Sequence, residues 1–482
     1  MATIENNGEQ SAPLLSRDER YKAGKALREA TPRESLGGFA ATDRDPSVVF
    51  DETNRTRVPS LVPIRRERMA ASPFAFLRGA AALMASDLAQ APVPGIPVQA
   101  GGDCHLMNFG AFLSPEGAAL FDINDFDETL PAVDFTVDVK RLAASLAVAA
   151  LAAGDGDKAA RRIAKSAATA YRARLAKLAV LSPVEAWNAR IRVEDDAAGL
   201  FDEALSQRLR EAAGHRHPER DGEADFPHVR RDASGGGWRI EDRPPLIYHV
   251  PPESDAALNV DIPGVFKQAI ETMPAEVRQL LARYKLADSA FKVVGVGSVG
   301  TYCAVGLFMS GDDYPLFLQI KEALPSALER LGAQEPGTPP RERWLRPWLG
   351  QQGARVVSGQ RMMQAASDSF LSFTRDESSG REFYVRRLKN RRLGELGELL
   401  ESKALPQYAL LCGRTLARAH ARSGDAAMLS GYMGKSEAFD DAIASFAMLY
   451  AAQNKKDFDN FVREPAKPDE PRAQLTERAS PG

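Results

Sequence analysis

Three glycines in six positions, Gly295, Gly297 and Gly300, stand between two apolar runs, Phe291 to Val296 and Tyr302 to Phe308, and this stretch restricts the possible folds most. The spacing is that of a dinucleotide-binding turn, which requires a helix after the glycines. Here the run after the turn is strand-like, so the glycines are expected to form a hairpin folded over phosphates instead. A third apolar run, Leu316 to Ile320, ends on Lys321, a point positive charge able to reach such phosphates.

The length of 482 residues suits two or three packed units. With 44% hydrophobic and 26% charged residues the chain reads as an ordinary globular protein. Lys and Arg number 62 against 65 Asp and Glu, a net charge of -3 that gives no electrostatic case for nucleic acid as a partner. Cys104, Cys303 and Cys412 are too scattered for a disulfide framework or a zinc site. The N-terminus lacks a secretory pattern and the Leu142 to Ala153 run is too short to span a bilayer, so a cytoplasmic protein without a membrane span is expected.

Composition divides the chain into a flexible polar arm (1–58), a first helical part (59–206), a charged insertion or linker (207–245), a glycine-turn and lysine part (246–400), a second helical part (401–463) and a disordered tail (464–482). Helices are expected at Phe74 to Leu88, Asp138 to Ala153, Asp157 to Ala179, Pro274 to Tyr284 and Pro406 to Arg422. Ser114, Pro115, Glu116 and Gly117 separate two short apolar runs, the signature of a hairpin.

The second chemical signal is Gly102 to Asn108, in which Asp103 precedes Asn108 by five positions. Phosphoryl transfer needs a carboxylate to orient and deprotonate the attacking hydroxyl and an amide oxygen near the metal, and this is the spacing of the catalytic loop that supplies both. Asp122, Asp125, Asp127 and Glu128 follow at the end of a strand, where a metal-binding carboxylate is required. So many acids within seven residues repel one another unless a cation sits among them. Asp125, followed by Phe126, fits the metal position by motif, and Asp122 fits it by distance from Asn108. His105 and Asp138 are candidates for bracing the loop, His420 reads as a packed histidine, and Arg65, Arg66, Arg68 and Arg78 as phosphate binders or solvated charge.

From about Arg65 to Gln453 these stretches resemble an uncharacterised bacterial family, domain of unknown function 2252, and the motifs are similar to those of aminoglycoside and choline kinases. The resemblance implies an α+β, protein-kinase-like two-lobed fold, a small antiparallel sheet lobe plus a mainly helical lobe. The lobes come in permuted sequence order, since the glycine turn lies about 190 residues after Asp103 rather than before it. It implies ATP and Mg2+ as cofactors, Asp103 as the base, and Asn108 and Asp125 as metal ligands, with Asp122 and Asp127 as alternatives. Gly295, Gly297, Ser298, Gly300 and Lys321 would surround the nucleotide. The helix glutamate that pairs with the kinase lysine has no clear counterpart; Glu329, Glu342, Gln360 and Gln364 are the candidates. The expected activity is phosphoryl transfer to a hydroxyl or amine of a small molecule. Nucleotidyl transfer to protein hydroxyls and a nucleotide-sensing binding module are the alternatives.

Overall fold

The computed structural model describes residues 14–39, 45–193, 226–232, 237–251, 258–295, 297, 299–332, 350–388 and 404–464. The fold is mixed α+β with small antiparallel sheets. The largest described sheet has six antiparallel strands in the order Ser372–Arg375, Glu382–Arg387, Pro315–Glu322, Cys303–Ser310, Tyr284–Lys292, Ile247–Tyr248. Strand side chains alternate between faces. Leu316, Leu318 and Ile320 therefore join Phe308, Phe383 and Val385 in an apolar cluster with Phe266 of the Ile262–Glu271 helix. Phe317, Gln319 and Lys321 take the opposite face, where Phe317 packs with Ile240 of the short Val229–Arg231 and Trp238–Ile240 hairpin. That pair of strands falls in the charged insertion expected at 207–245, of which 207–225 and 233–236 lie outside the described residues.

The helical part is built on Thr136–Ala152, Asp157–Leu178, Leu405–His420 and Ala438–Arg463. Their small residues make a continuous core in which Ala147, Ala164, Ala409 and Ala447 are fully buried. The first three correspond closely to the helices expected from sequence; the last, 26 residues long, falls within the second helical part read at 401–463, where the sequence sets no bounds for it.

Four local expectations are corrected. The expected helix from Phe74 to Leu88 is two helices, Pro73–Gly79 and Ala81–Leu88, because Ala80 leaves the helical region (φ -110, ψ 31). The expected helix at Pro274 to Tyr284 stops at Leu281, and the following strand starts at Tyr284, so the run at Phe291 is its end and not its beginning. The run Val98 to Asp103, which reads from sequence as the entry to a loop, begins in a strand, since Pro97–Ala100 pairs antiparallel with Leu130–Asp134. The segment before residue 58, expected as a flexible arm, contains the helices Arg17–Ala26 and Pro46–Asn54. Ser16 and Glu19 close a capping box on the first. Its Gly24 lies so near the 426–433 helix that a Cβ would sit 2.0 Å from the Met428 carbonyl oxygen, and Arg20 pairs with Asp425 at 3.0 Å. The tail expected at 464–482 lies outside the described residues beyond Glu464.

Candidate functional site

Asp103 stands on a loop that is fixed from below. Gly102 has φ +84, and a Cβ there would fall 2.2 Å from the Glu128 carbonyl oxygen, so only glycine brings the chain this close. The fully buried Asp138, in the first turn of the 136–152 helix, accepts hydrogen bonds from the Gly101 and Gly102 N–H groups at 2.7 and 2.9 Å. His420 Nε2 lies 3.1 Å from the same carboxylate and the Tyr171 hydroxyl 2.8 Å from His420 Nδ1. These contacts link Tyr171, His420 and Asp138 in one buried chain beneath the loop. His420 is thus a packed link, as the sequence reading had it.

One turn beyond Asp138, Arg141 donates to Asp103 Oδ1 from Nε (2.9 Å) and Nη2 (2.7 Å). The Asn108 amide donates to the Asp103 carbonyl at 2.7 Å and closes the loop. His105 Nε2 is 3.8 Å from Asp103 Oδ2, while burial and the charges of Arg78 and Arg141 push its pKa well down, so the ring is neutral. Burial raises the Asp103 pKa, an effect that Arg141 and Arg78 oppose.

The acidic stretch is dispersed by the fold. Asp122 is fully buried, paired with Arg418, and accepts from the N–H groups of Ile123 (2.9 Å) and Ala365 (2.8 Å). It is a structural ion pair and does not line the cleft; the metal position read for it by distance is corrected. Asp127 receives Lys321 Nζ at 2.5 Å and the Tyr384 hydroxyl at 2.5 Å. Lys321 and Tyr384 are direct cross-strand partners, so both leave the same face of the sheet. Burial works against the Asp127 charge, but Lys321 and Tyr384 outweigh it and hold its pKa at about 2; Lys321 is raised in turn. Two of the cations required among the acids are therefore Lys321 and Arg418 of the chain itself. Asp125 accepts from the Asp127 N–H at 3.1 Å, and its pKa is raised by burial and by the Asp127 charge. Glu128 accepts from the Ala327 N–H at 2.5 Å, and burial pushes its pKa up to about 7.

The glycine turn closes over this floor. The position of a Gly297 Cβ would be 3.0 Å from the Arg78 carbonyl oxygen and 3.9 Å from Asp103 Oδ2. Gly295 and Gly300 have φ +69 and +96, which glycine adopts without strain. Arg68 donates to the Gly295 carbonyl at 2.6 Å, Arg57 to that of Val299 at 2.5 Å, and the Val58 N–H to that of Gly300 at 2.7 Å. Ser298 lies outside the described residues.

A cleft of about 450 Å³ results, lined by Asp103, Asp125, Asp127, Glu128, Gly297 and Thr301, with Arg57, Arg65 and Arg78 on one wall. Asn108 and Asp138 support it without lining it. Among the described residues no three His, Cys, Asp or Glu side chains converge to hold a metal ion. Among the described residues neither Glu329, Gln360 nor Gln364 pairs with Lys321: Glu329 lines the cleft, Gln360 donates to Gln364 at 2.8 Å, and Gln364 to the Ile123 carbonyl at 2.8 Å; Glu342 lies outside the described residues.

Sequence reasoning missed Arg141, Tyr384, Arg57 and Arg355. The last donates to the carbonyls of Thr129 (2.5 Å), Asp127 (3.0 Å) and Leu324 (2.8 Å), tying the acidic turn to the sheet part. Only Arg141 left a signal, three residues after Asp138 on one helix face.

The model of a family described as an uncharacterized protein conserved in bacteria, domain of unknown function 2252, matches residues 57–464. The chain belongs to that family. Its match begins at Arg57 and so takes in both the cleft floor and the arginine wall, while the helix Arg17–Ala26 lies outside it. No curated protein and no solved structure matches the chain. Among the described residues no helix is long and apolar enough to cross a membrane.

Proposed function

We propose that this protein is an ATP- and magnesium-dependent phosphotransferase of protein-kinase-like, two-lobed fold with its lobes in permuted order, acting on a hydroxyl or amine of a small molecule. One observation carries the reading: Gly297, about 190 residues beyond Asp103 in sequence, lines one cleft with Asp103, Asp125 and Asp127, and Lys321 pairs with the cleft-lining Asp127. Asp103, held in one orientation by Arg141, aligns the acceptor and takes its proton. The glycine turn covers the phosphates and Lys321 balances their charge.

The donor set suits magnesium, which takes oxygen ligands and is commonly held by one or two carboxylates together with substrate phosphates rather than by a full protein cage. Asp125 makes no ion pair among the described residues and Asp127 shares its cleft, so these two would hold the ion; Asn108, whose amide donates to the Asp103 carbonyl, is the further candidate ligand. Bound there, magnesium would neutralise charge on the phosphate oxygens. A second reading, a nucleotide-sensing module, is favoured by the pairing of Lys321 with Asp127 in place of a helix glutamate.

Thermal unfolding with magnesium ATP tests nucleotide binding, since a ligand at about 100 times its dissociation constant stabilises by ~2.7 kcal/mol. Asp125→Ala is expected to remove the magnesium-dependent part of the shift. An unchanged melting curve across millimolar ATP, GTP and their magnesium complexes would count against both readings, whereas a shift without transfer to any hydroxyl or amine acceptor would leave the sensor.

A further inference from the structure

Two guanidinium groups that line the cleft have no counter-ion among the described residues. Arg65 is 4% exposed and donates only to neutral acceptors, Asn54 Oδ1 at 2.7 Å and the Gly79 carbonyl at 2.9 Å. Arg57 donates only to the Val299 carbonyl at 2.5 Å. Neither forms an ion pair among the described residues, and the Nε of each is buried without a hydrogen-bond partner. Burying an unpaired charge is unfavourable, and a second like charge nearby adds to the cost. Both effects register here. Burial lowers the Arg57 pKa to about 10 against the weaker pull of Glu128, Asp127 and Glu322, and burial together with Arg57 itself lowers that of Arg65 well below its ordinary value.

We propose that Arg57 and Arg65 form an anion subsite of the cleft that takes a phosphate-class group. Guanidinium groups bind phosphate oxygens through short charge-assisted hydrogen bonds, and an anion placed between two of them relieves both the desolvation and the mutual repulsion. Thr53, Thr56 and Thr301 line the same cleft and can add hydroxyl donors. Other charges at or beside the cleft are paired: Arg141 meets Asp103, Lys321 meets Asp127, and Arg330 meets Glu52 at 2.7 Å. The subsite deepens the phosphotransfer reading by giving the acceptor an anionic group, or by giving the terminal phosphate of the nucleotide a second anchor. The same chemistry serves both sources.

Calorimetric titration of the full chain with inorganic phosphate, at ionic strength held constant with chloride, needs neither turnover nor nucleotide. Saturable binding is expected. Arg57→Gln should weaken it at least about tenfold, while Arg57→Lys, which keeps a cation on the same stem, recovers part of the loss. Arg66→Gln should bind as the parent does, because Arg66 donates to the Phe461 carbonyl and does not line this cleft. Repeating the titration with magnesium ATP and magnesium ADP separates the sources. Phosphate that binds alongside ATP marks an acceptor group; phosphate displaced by ATP and not by ADP marks the terminal phosphate. Absence of saturable binding in the parent, or parent-like binding by folded Arg57→Gln, overturns the subsite. If Arg57→Gln does not fold, Arg57→Lys decides: weakened binding supports the subsite, and parent-like affinity overturns the part given to the Arg57 guanidinium. Phosphate binding that fails while magnesium ATP still stabilises the protein removes the subsite alone; the reverse outcome removes the nucleotide reading and leaves an anion site.

Discussion

The floor of the cleft and the turn above it are secured by different chemistry. Beneath Asp103 the contacts are between buried charged or polar side chains and the loop: Asp138 on two N–H groups, Arg141 on the Asp103 carboxylate, Arg418 on Asp122. Above it, the glycine turn is tied through backbone carbonyls to Arg57, Arg68 and Val58, all from the segment preceding the Gly102 to Asn108 loop. Breaking a floor contact strands a buried charge, whereas releasing the turn costs a few hydrogen bonds to carbonyls that water can replace. The floor is therefore the rigid partner of the pair and the turn the one able to adjust to a ligand.

The largest effect should follow from attacking the floor. Asp122→Ala leaves the fully buried Arg418 without its carboxylate, for which a loss of ~3–5 kcal/mol in unfolding free energy is expected. Denaturant unfolding measures it, and a loss below about 1 kcal/mol would show the pair to be dispensable to the floor.

Asp103→Asn keeps the shape of the loop and removes the charge and the proton acceptor. General-base contributions run to about 100- to 10,000-fold, so turnover should fall by at least about tenfold, or ~1.4 kcal/mol of transition-state stabilisation. Magnesium ATP binding should change little. Basal ATP hydrolysis or self-modification gives a readout, and full activity in the folded variant would exclude Asp103 as the base.

Glu128 and Asp127, neighbours at the junction of floor and sheet, should respond oppositely to pH. Burial raises Glu128 from 4.5 to about 7, so the unfolded chain gives up this proton first. Its contribution to stability is complete below about pH 4.5 and is lost as pH rises through about 7. Asp127, lowered from 3.8 to about 2, contributes above about pH 3.8 and loses that contribution as pH falls through about 2. Glu128→Gln should flatten unfolding free energy against pH between about 4.5 and 7; a wild-type slope in the variant would show that Glu128 does not titrate there.

The smallest effect is reserved for the turn. Arg68→Ala removes one hydrogen bond to the Gly295 carbonyl, for which ~1 kcal/mol is expected in stability. Nucleotide affinity should fall with it, since the turn is then less ordered before binding. A loss as large as that of Asp122→Ala would erase the distinction between floor and turn.

Local rules carried the sequence a long way. Ser114 to Gly117 between apolar runs gave the hairpin of Phe109–Leu113 and Ala119–Ile123, and the strands flanking the glycines follow from alternation and composition. The helix Leu405–His420 and the two long alanine-rich helices were legible from their periodicity. The described part of the 1–58 segment was not, because its helix Arg17–Ala26 owes its place to contacts with residues 425–432, some four hundred positions away.

For the site, residue identity marked Asp103, Asp125, Asp127, Lys321 and the glycines as carriers of chemistry, since their types and short-range spacing are constrained within one loop or strand. Tertiary structure alone decided how the acids divide. Asp122 and Asp127 are five residues apart, yet one is sealed against Arg418 and the other opens to Lys321, a difference set by which distant cation each meets. It also decided that Arg57 and Arg65 stand without counter-ions among the described residues, because burial and charge matching are properties of the assembled cleft and leave no trace in the order of residues along the chain.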